Sequence, residues 1–96
     1  MLNIAFCDDN QCFLKKITQE IDRSLAIKAT YQTFTNATDL LDAFKPGVFD
    51  ALFIDIYMPK INGKMLAHKI RNLDKRVKII FVTRYEQEIL NTLQYD

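Results

Sequence analysis

The chain has 96 residues, of which 49% are hydrophobic and 26% are charged, and its formal net charge is +1. This length fits one small domain over residues 1–96, and the composition is typical of a globular protein rather than a disordered segment. The balance of 13 basic and 12 acidic residues excludes a strongly basic nucleic-acid or membrane surface, and no apolar run approaches the roughly 20 residues of a membrane span.

The first half of the chain contains two apolar runs, each followed by a segment with helical spacing. Residues 2–6 predict the first strand. The segment behind it carries apolar residues at steps of three and four: Leu14, Ile17, Ile21 and Leu25. The second run, residues 29–34, alternates polar and less polar side chains, as an edge strand does. Asn36 is suited to cap a short helix after it, which a Pro-Gly pair at residues 46–47 ends.

The second half repeats the pattern. Residues 51–54 are apolar throughout, which predicts a strand buried on both faces that ends at Asp55. Residues 78–82 are rich in β-branched side chains and predict a fourth strand, followed by Thr83. Apolar spacing predicts two further helices, one through Leu66, Ile70 and Leu73 and one through Ile89, Leu90 and Leu93.

Strands that alternate with helices predict an α/β fold, with right-handed crossovers and a mostly parallel sheet between helices. In such open sheets, ligands bind beyond the carboxyl ends of the strands. Asp8 and Asp9 follow the first strand, Asp55 ends the third, and Thr83 follows the fourth. We therefore expect these four residues to meet at one edge of the sheet.

Each of these residues also has a purely structural interpretation. Asp9 or Asn10 could cap the first helix, Asp55 could begin a turn, and Thr83 could be an ordinary strand residue. Three converging carboxylates, however, would repel by roughly 4 kcal/mol per pair at about 4 Å and an effective dielectric constant near 20. Either the carboxyl groups keep their protons or a cation lies between them. Oxygen ligands in an incomplete protein shell favour Mg²⁺.

The position of Asp55 at the end of a buried strand predicts a reactive role. A carboxylate can act as a nucleophile toward phosphorus and form an acyl phosphate. Mg²⁺ would neutralise the incoming phosphoryl oxygens, and the Thr83 hydroxyl could bond to one of them. The acidic pocket therefore predicts a phosphoryl acceptor.

Three segments resemble the response-regulator receiver domain of bacterial two-component signalling: CDDN, FIDIYMPKINGKMLA and IIFVT. The most specific part is Asp-x-x-Met-Pro-x-x-x-Gly, from Asp55 to Gly63. The resemblance covers the whole chain and implies a flavodoxin-like three-layer sandwich with parallel strand order 2-1-3-4, in which the fifth strand and last helix of the family are missing. It implies that Asp55 is phosphorylated and that Thr83 is the switch hydroxyl. The implied Mg²⁺ ligands are Asp8, Asp9, Asp55 and the backbone carbonyl of Tyr57.

The resemblance also implies partners and a location. A histidine kinase would supply the phosphoryl group in the cytoplasm, and the domain would assist its own phosphorylation without being a turnover enzyme. The IIFVT and RYE segments resemble receivers joined to LytTR-type DNA-binding output domains, with no direct nucleic-acid contact by this segment itself.

One family element has no counterpart in the sequence. Receivers carry a lysine followed by proline at the end of the fifth strand, whereas this chain stops at Asp96. We therefore expect a receiver that is truncated at its C-terminus and whose fourth strand is an apolar edge able to pair or swap into a homo-oligomer. The alternative is a receiver-like interaction module that is no longer phosphorylated.

Other functions fit the residues less well. An aspartyl phosphatase would need a second aspartate where Tyr57 stands, and a flavin phosphate would be repelled by Asp8-Asp9. We expect His68 to be a solvent-facing helix residue. Cys7 and Cys12 do not form a Cys-x-x-Cys pair, which favours free thiols in a reducing compartment.

Overall fold

The computed structural model describes residues 1–82, which form a four-stranded sheet with helices on both faces. The elements in chain order are β1 (Leu2–Cys7), α1 (Gln11–Ser24), β2 (Ala29–Phe34), α2 (Ala37–Ala43), β3 (Ala51–Asp55), α3 (Gly63–Leu73) and β4 (Lys78–Val82). All neighbouring strands are parallel, and their order is β2-β1-β3-β4. The predicted flavodoxin-like α/β fold and its strand order are confirmed. The helix predicted through Ile89, Leu90 and Leu93 lies outside the described residues.

Strand alternation divides the core into two layers. Ile4 and Phe6 of β1 pack against Leu14 of α1 on one face of the sheet. On the other face, a larger core joins the strands to α2 and α3, and it includes Ala5, Cys7, Leu40, Leu52, Ile54, Leu66 and Ile70. This is the predicted three-layer arrangement. Within residues 1–82, no helix is both long and apolar enough to cross a membrane.

Asparagine caps begin all three described helices, because their side-chain oxygens accept backbone N–H groups that have no partner within the helix. Asn10 accepts from the Phe13 N–H at 2.9 Å, so it, rather than Asp9, caps α1. Asn36 caps α2, as predicted, by accepting from the Asp39 N–H at 2.8 Å. The third cap is Asn62, which precedes α3. The α1 cap therefore uses the residue directly after the acidic pair.

The C-terminal end of α3 is Leu73, the last residue of the predicted apolar spacing, although the Leu73 side chain is 55% exposed. The inward position one turn after Ile70 belongs instead to Asp74, which is 9% exposed. Asp74 accepts the N–H groups of Arg76, Val77 and Gly47 at 2.8, 3.1 and 3.2 Å. A carboxylate is stable there because it accepts hydrogen bonds from backbone N–H groups, including those of the turn that leads into β4.

The Asp74 carboxylate predicts a specific pH dependence of stability. The N–H of Arg76 is the largest of the influences that hold the pKa of Asp74 below its ordinary value of 3.8. A lowered pKa means that the ionised form stabilises the fold above this value, and that this contribution is lost as pH falls through the folded pKa. We expect Asp74→Asn to be less stable than wild type at neutral pH, with the difference shrinking below about pH 4.

Urea unfolding between about pH 7 and pH 2.5 measures this difference. Asp42→Asn is the matched control, because Asp42 is an exposed carboxylate on α2. A difference between wild type and Asp74→Asn that stays constant over the whole pH range would contradict the prediction.

The outer strands of the described sheet are β2 and β4. β2 keeps the predicted bounds and lies at one edge of the described sheet. β4 lies at the other edge, where Ile80 and Phe81 are 38% and 43% exposed. Residues Leu52 and Ile54 of β3 are fully buried, whereas Ala51 and Phe53 are partly buried. Pairing of β4 with a second chain stays a prediction.

Candidate metal centre at the carboxyl edge of the sheet

Three carboxylates meet where β1 and β3 end. The two strands are parallel neighbours, and Cys7 of β1 is in register with Ile54 of β3. Asp8 and Asp55 therefore leave the sheet side by side, with Asp9 next to them. Each of the three offers one carboxylate oxygen, and these oxygens all lie within 4.8 Å of one another. Asp8 and Asp55 are 1% and 0% exposed, whereas Asp9 is exposed.

Backbone N–H groups orient the two buried carboxylates. Oδ1 of Asp8 accepts the Asn10 N–H at 2.8 Å, and Oδ1 of Asp55 accepts the Tyr57 N–H at 3.3 Å. The Asp8 N–H donates to the carbonyl of Phe34 at 3.0 Å, which ties the end of β1 to the end of β2. Each buried carboxylate thus accepts the N–H two residues further along, in the segment that follows its strand, and the strands place the two carboxylates side by side.

The loop between β3 and α3 lies directly against the site. The Gly63 N–H donates to the carbonyl of Ile56 at 2.8 Å. A Cβ atom on Gly63 would lie 2.8 Å from both the carbonyl carbon of Asp55 and the Cα of Ile56. Only glycine therefore allows α3 to begin this close to the Asp55 backbone. Lys60 adopts a positive φ of 67°, which gives this loop its tight turn.

The site is strongly negative. Two carboxylates at the observed separation repel by about 3–4 kcal/mol at an effective dielectric constant near 20. Burial, the largest cause, and the negative charges of Asp8 and Asp55 together raise the pKa of the neighbouring Cys7 thiol to about 12. An arrangement of this kind has the oxygen donors and the charge that suit a divalent cation, and the all-oxygen set fits Mg²⁺.

The structure brings together three of the predicted site residues and leaves one untested. Asp8, Asp9 and Asp55 form the cluster, and Tyr57, whose carbonyl was the fourth predicted ligand, follows Asp55 by two residues. Metal binding by these residues stays a prediction. Thr83 lies outside the described residues. His68 is exposed on α3, as expected.

Sequence reasoning missed the residues directly beneath the cluster. Cys7 is 1% exposed, and its Sγ lies 3.6 Å from Sδ of Met58 and 3.4 Å from the carbonyl oxygen of Asn36. Strand alternation indicated only that Cys7 and Asp8 face opposite ways. No sequence signal identifies the partner of Cys7, because Met58 is 51 residues away.

Comparison with known proteins agrees with this fold and identifies the family of the chain. The sequence model of the response regulator receiver domain matches residues 4–95. An uncharacterized response regulatory protein of Yersinia pestis is 28% identical over 94 residues, and the match covers 98% of this chain and 39% of that protein. The sensory transduction protein LytT of Oceanobacillus iheyensis is 45% identical over 53 residues, which cover 53% of this chain and 22% of LytT.

A solved structure shows the same architecture. The BeF3-activated receiver domain of DrrB, from Thermotoga maritima, superposes with a TM-score of 0.76 at 21% sequence identity. The match covers 98% of this chain and 77% of the DrrB chain. At this identity the similarity establishes the fold. The chain spans less than half the length of the two curated relatives named above.

Proposed function

The chain belongs to the response regulator receiver domain family, and from that premise we propose that it accepts a phosphoryl group from a histidine kinase on Asp55. The observation that carries the proposal is the cluster of carboxylate oxygens within 4.8 Å around Asp8, Asp9 and Asp55. Carboxylates this close together repel one another, and a cation bound beside a phosphoryl group would offset that repulsion.

Asp55 is the nucleophile of the proposed reaction. One of its carboxylate oxygens attacks the phosphorus of a phosphohistidine, a new P–O bond forms, and the P–N bond to the histidine breaks. The leaving imidazole nitrogen keeps the electron pair of that bond and takes a proton from solvent. The N–H of Tyr57 holds Oδ1 of Asp55, which fixes the orientation of the carboxylate before the attack.

The proposed Mg²⁺ ligands are Asp8, Asp9, Asp55 and the backbone carbonyl of Tyr57. Bound Mg²⁺ would supply positive charge that neutralises the phosphoryl oxygens. Asp9 is the exposed member of the cluster, so a phosphoryl donor would approach from the side of Asp9, whereas Asp55 itself is buried. The buried position of Asp8 keeps a second carboxylate fixed at the floor of the site.

The remaining roles belong to the proposal as well. The Thr83 hydroxyl would donate a hydrogen bond to a phosphoryl oxygen, and Thr83 would act as the switch residue. The similarity to LytT supports a LytTR-type DNA-binding output domain in the full-length protein. The transcriptional regulatory protein NatR of Bacillus subtilis, 30% identical over 83 residues, supports transcriptional control as the output.

Mass spectrometry after incubation with acetyl phosphate and Mg²⁺ tests the proposal. Acetyl phosphate replaces the unidentified kinase as a phosphoryl donor. We expect the wild-type chain to gain the mass of one phosphoryl group and Asp55→Asn to gain none, because the amide is a poor nucleophile. Omitting Mg²⁺ should abolish or strongly slow the gain.

Asp42→Asn provides the matched control, since it removes an exposed carboxylate remote in sequence from the cluster, and it should be phosphorylated like the wild type. A mass gain that persists in Asp55→Asn would move the acceptor to another residue. No gain in the wild-type chain would favour an interaction module that is not phosphorylated.

A further inference from the structure

The loop that carries the Tyr57 carbonyl has two buried side chains, Ile56 directly before Tyr57 and Met58 directly after it. Within residues 57–62, Met58 is the one buried side chain, at 8% exposure, and Ile61 is partly buried. The remaining four side chains of this segment are exposed: Tyr57, Pro59, Lys60 and Asn62. An exposed loop takes its position from its few buried anchors. Ile56 is held on the side of β3, where its carbonyl accepts the Gly63 N–H, so on the other side of Tyr57 the position of the Tyr57 carbonyl depends on what Met58 packs against.

Cys7 is the residue of β1 that Met58 contacts through sulfur. The two sulfur atoms are 3.6 Å apart in the core, and Cys7 directly precedes Asp8. The contact thus links two parts of the acidic site that are otherwise 51 residues apart: the end of β1, with Asp8, and the loop after β3, with Tyr57.

The same thiol also reaches a third element. Cys7 Sγ lies 3.4 Å from the carbonyl oxygen of Asn36, the residue that caps α2. A thiol has a single proton, so it donates to the Asn36 oxygen or to the Met58 sulfur, and it packs against the other. Because the surrounding core is close-packed, removing the sulfur leaves a gap beneath the site that neighbouring groups fill only in part.

We infer that Cys7 is a positioning residue of the Mg²⁺ site, and that its contact with Met58 sets the distance between the β1 carboxylates and the Tyr57 carbonyl. The inference rests on the proposed function, because it assumes that these groups share a Mg²⁺ ion. Cys7 does not touch the ion. Its effect resembles that of other residues that hold ligands in place, whose replacement commonly weakens metal binding by about tenfold or more.

Mg²⁺ titration of the 96-residue chain, followed by amide chemical shifts, tests the inference. We expect Cys7→Ala to weaken Mg²⁺ binding by about tenfold, because the loop loses its contact with β1. Cys7→Val replaces the sulfur with methyl groups that still reach Met58, and it should bind within about threefold of wild type. Cys12→Ala is the matched control, because that thiol is exposed on α1, and it should bind like wild type.

Urea unfolding of the same variants separates positioning from simple stabilisation. If Cys7→Ala lowers the free energy of unfolding but leaves Mg²⁺ affinity unchanged, the inference is wrong. It is equally wrong if Cys7→Val binds as weakly as Cys7→Ala, since contact with Met58 would then not matter. Should Cys7→Ala fail to fold, Met58→Ala decides, because it removes the other half of the contact, and Met58→Leu, which keeps the volume of the anchor, is its control. An affinity about tenfold weaker in Met58→Ala, with Met58→Leu within about threefold of wild type, supports the inference, and an unchanged affinity in Met58→Ala overturns it.

The outcome for the wild-type chain distinguishes this inference from the proposed function. If the wild-type chain does not bind Mg²⁺, the proposed function and the inference fail together. If it binds Mg²⁺ and is phosphorylated, while Cys7→Ala binds equally tightly, only the inference fails.

Discussion

Replacing Asp8 by asparagine should make the Mg²⁺-free chain more stable and remove most of the stabilisation that Mg²⁺ provides. Asp8 is 1% exposed and lies in the cluster of three carboxylates. Loss of its charge relieves repulsion with Asp9 and Asp55. We expect this to raise the free energy of unfolding without Mg²⁺ by about 1–2 kcal/mol, less than the full Coulomb repulsion, because solvent screens the exposed Asp9 and crowded carboxyl groups can take up protons. An asparagine oxygen can still accept the Asn10 N–H, so the local turn remains intact.

The effect of Mg²⁺ should be opposite in sign. A ligand that binds only the folded state adds about 2.7 kcal/mol of stability at 100 times its dissociation constant. Asp8→Asn should lose most of this gain, because the cation loses one of three negative partners. Urea unfolding with and without Mg²⁺ measures both quantities.

Asp42→Asn gives the same change in net charge at an exposed position on α2, and it should show neither effect. Equal Mg²⁺ stabilisation of wild type and Asp8→Asn would argue against a shared cation at this cluster.

Replacing Gly63 by alanine should destabilise the fold by about 2–4 kcal/mol, although alanine normally favours a helix. The added Cβ would lie 2.8 Å from the backbone carbons of Asp55 and Ile56, and backbone cannot move aside as a flexible side chain can. Either α3 shifts outward or the end of β3 is displaced. Both changes also disturb the site, so the Mg²⁺ affinity of any folded fraction should fall.

Thermal and urea unfolding check the stability of Gly63→Ala. Lys64→Ala is the matched control, because Lys64 is the next residue of α3 and is exposed. We expect that variant to stay within about 0.5 kcal/mol of wild type. A Gly63→Ala protein as stable as the control would mean that the contact between α3 and the Asp55 backbone is easily relaxed.

Much of the fold could be predicted from local patterns. The bounds of β2 and β4 agree with the apolar runs at residues 29–34 and 78–82, and Asn36 caps α2 as its residue type suggested. At the end of α3 the apolar spacing includes Leu73, but the Leu73 side chain is exposed and Asp74 takes the inward position. Periodicity describes a helix that continues, and it fails where a helix ends and a carboxylate satisfies the following turn.

The acidic cluster could also be predicted, because parallel neighbouring strands bring their carboxyl ends to the same edge of the sheet. No knowledge of side-chain packing is needed to predict that Asp8, Asp9 and Asp55 lie at one edge of the sheet. The choice between Asp9 and Asn10 as the cap of α1 was different, since both residue types suit that role. The hydrogen bond from the Phe13 N–H to Asn10 decides it in the structure.

The succession of strands and helices up to β4, the members of the acidic cluster and the family of the chain can all be predicted from the amino-acid sequence. They follow from hydrophobic spacing and from short motifs, which are local properties of a chain. The contact of Gly63 with the Asp55 backbone and the contact of Cys7 with Met58 are visible only in the folded chain. Those contacts depend on the register of β1 with β3 and on how closely α3 approaches the sheet. Neither of these is a property of a single stretch of residues.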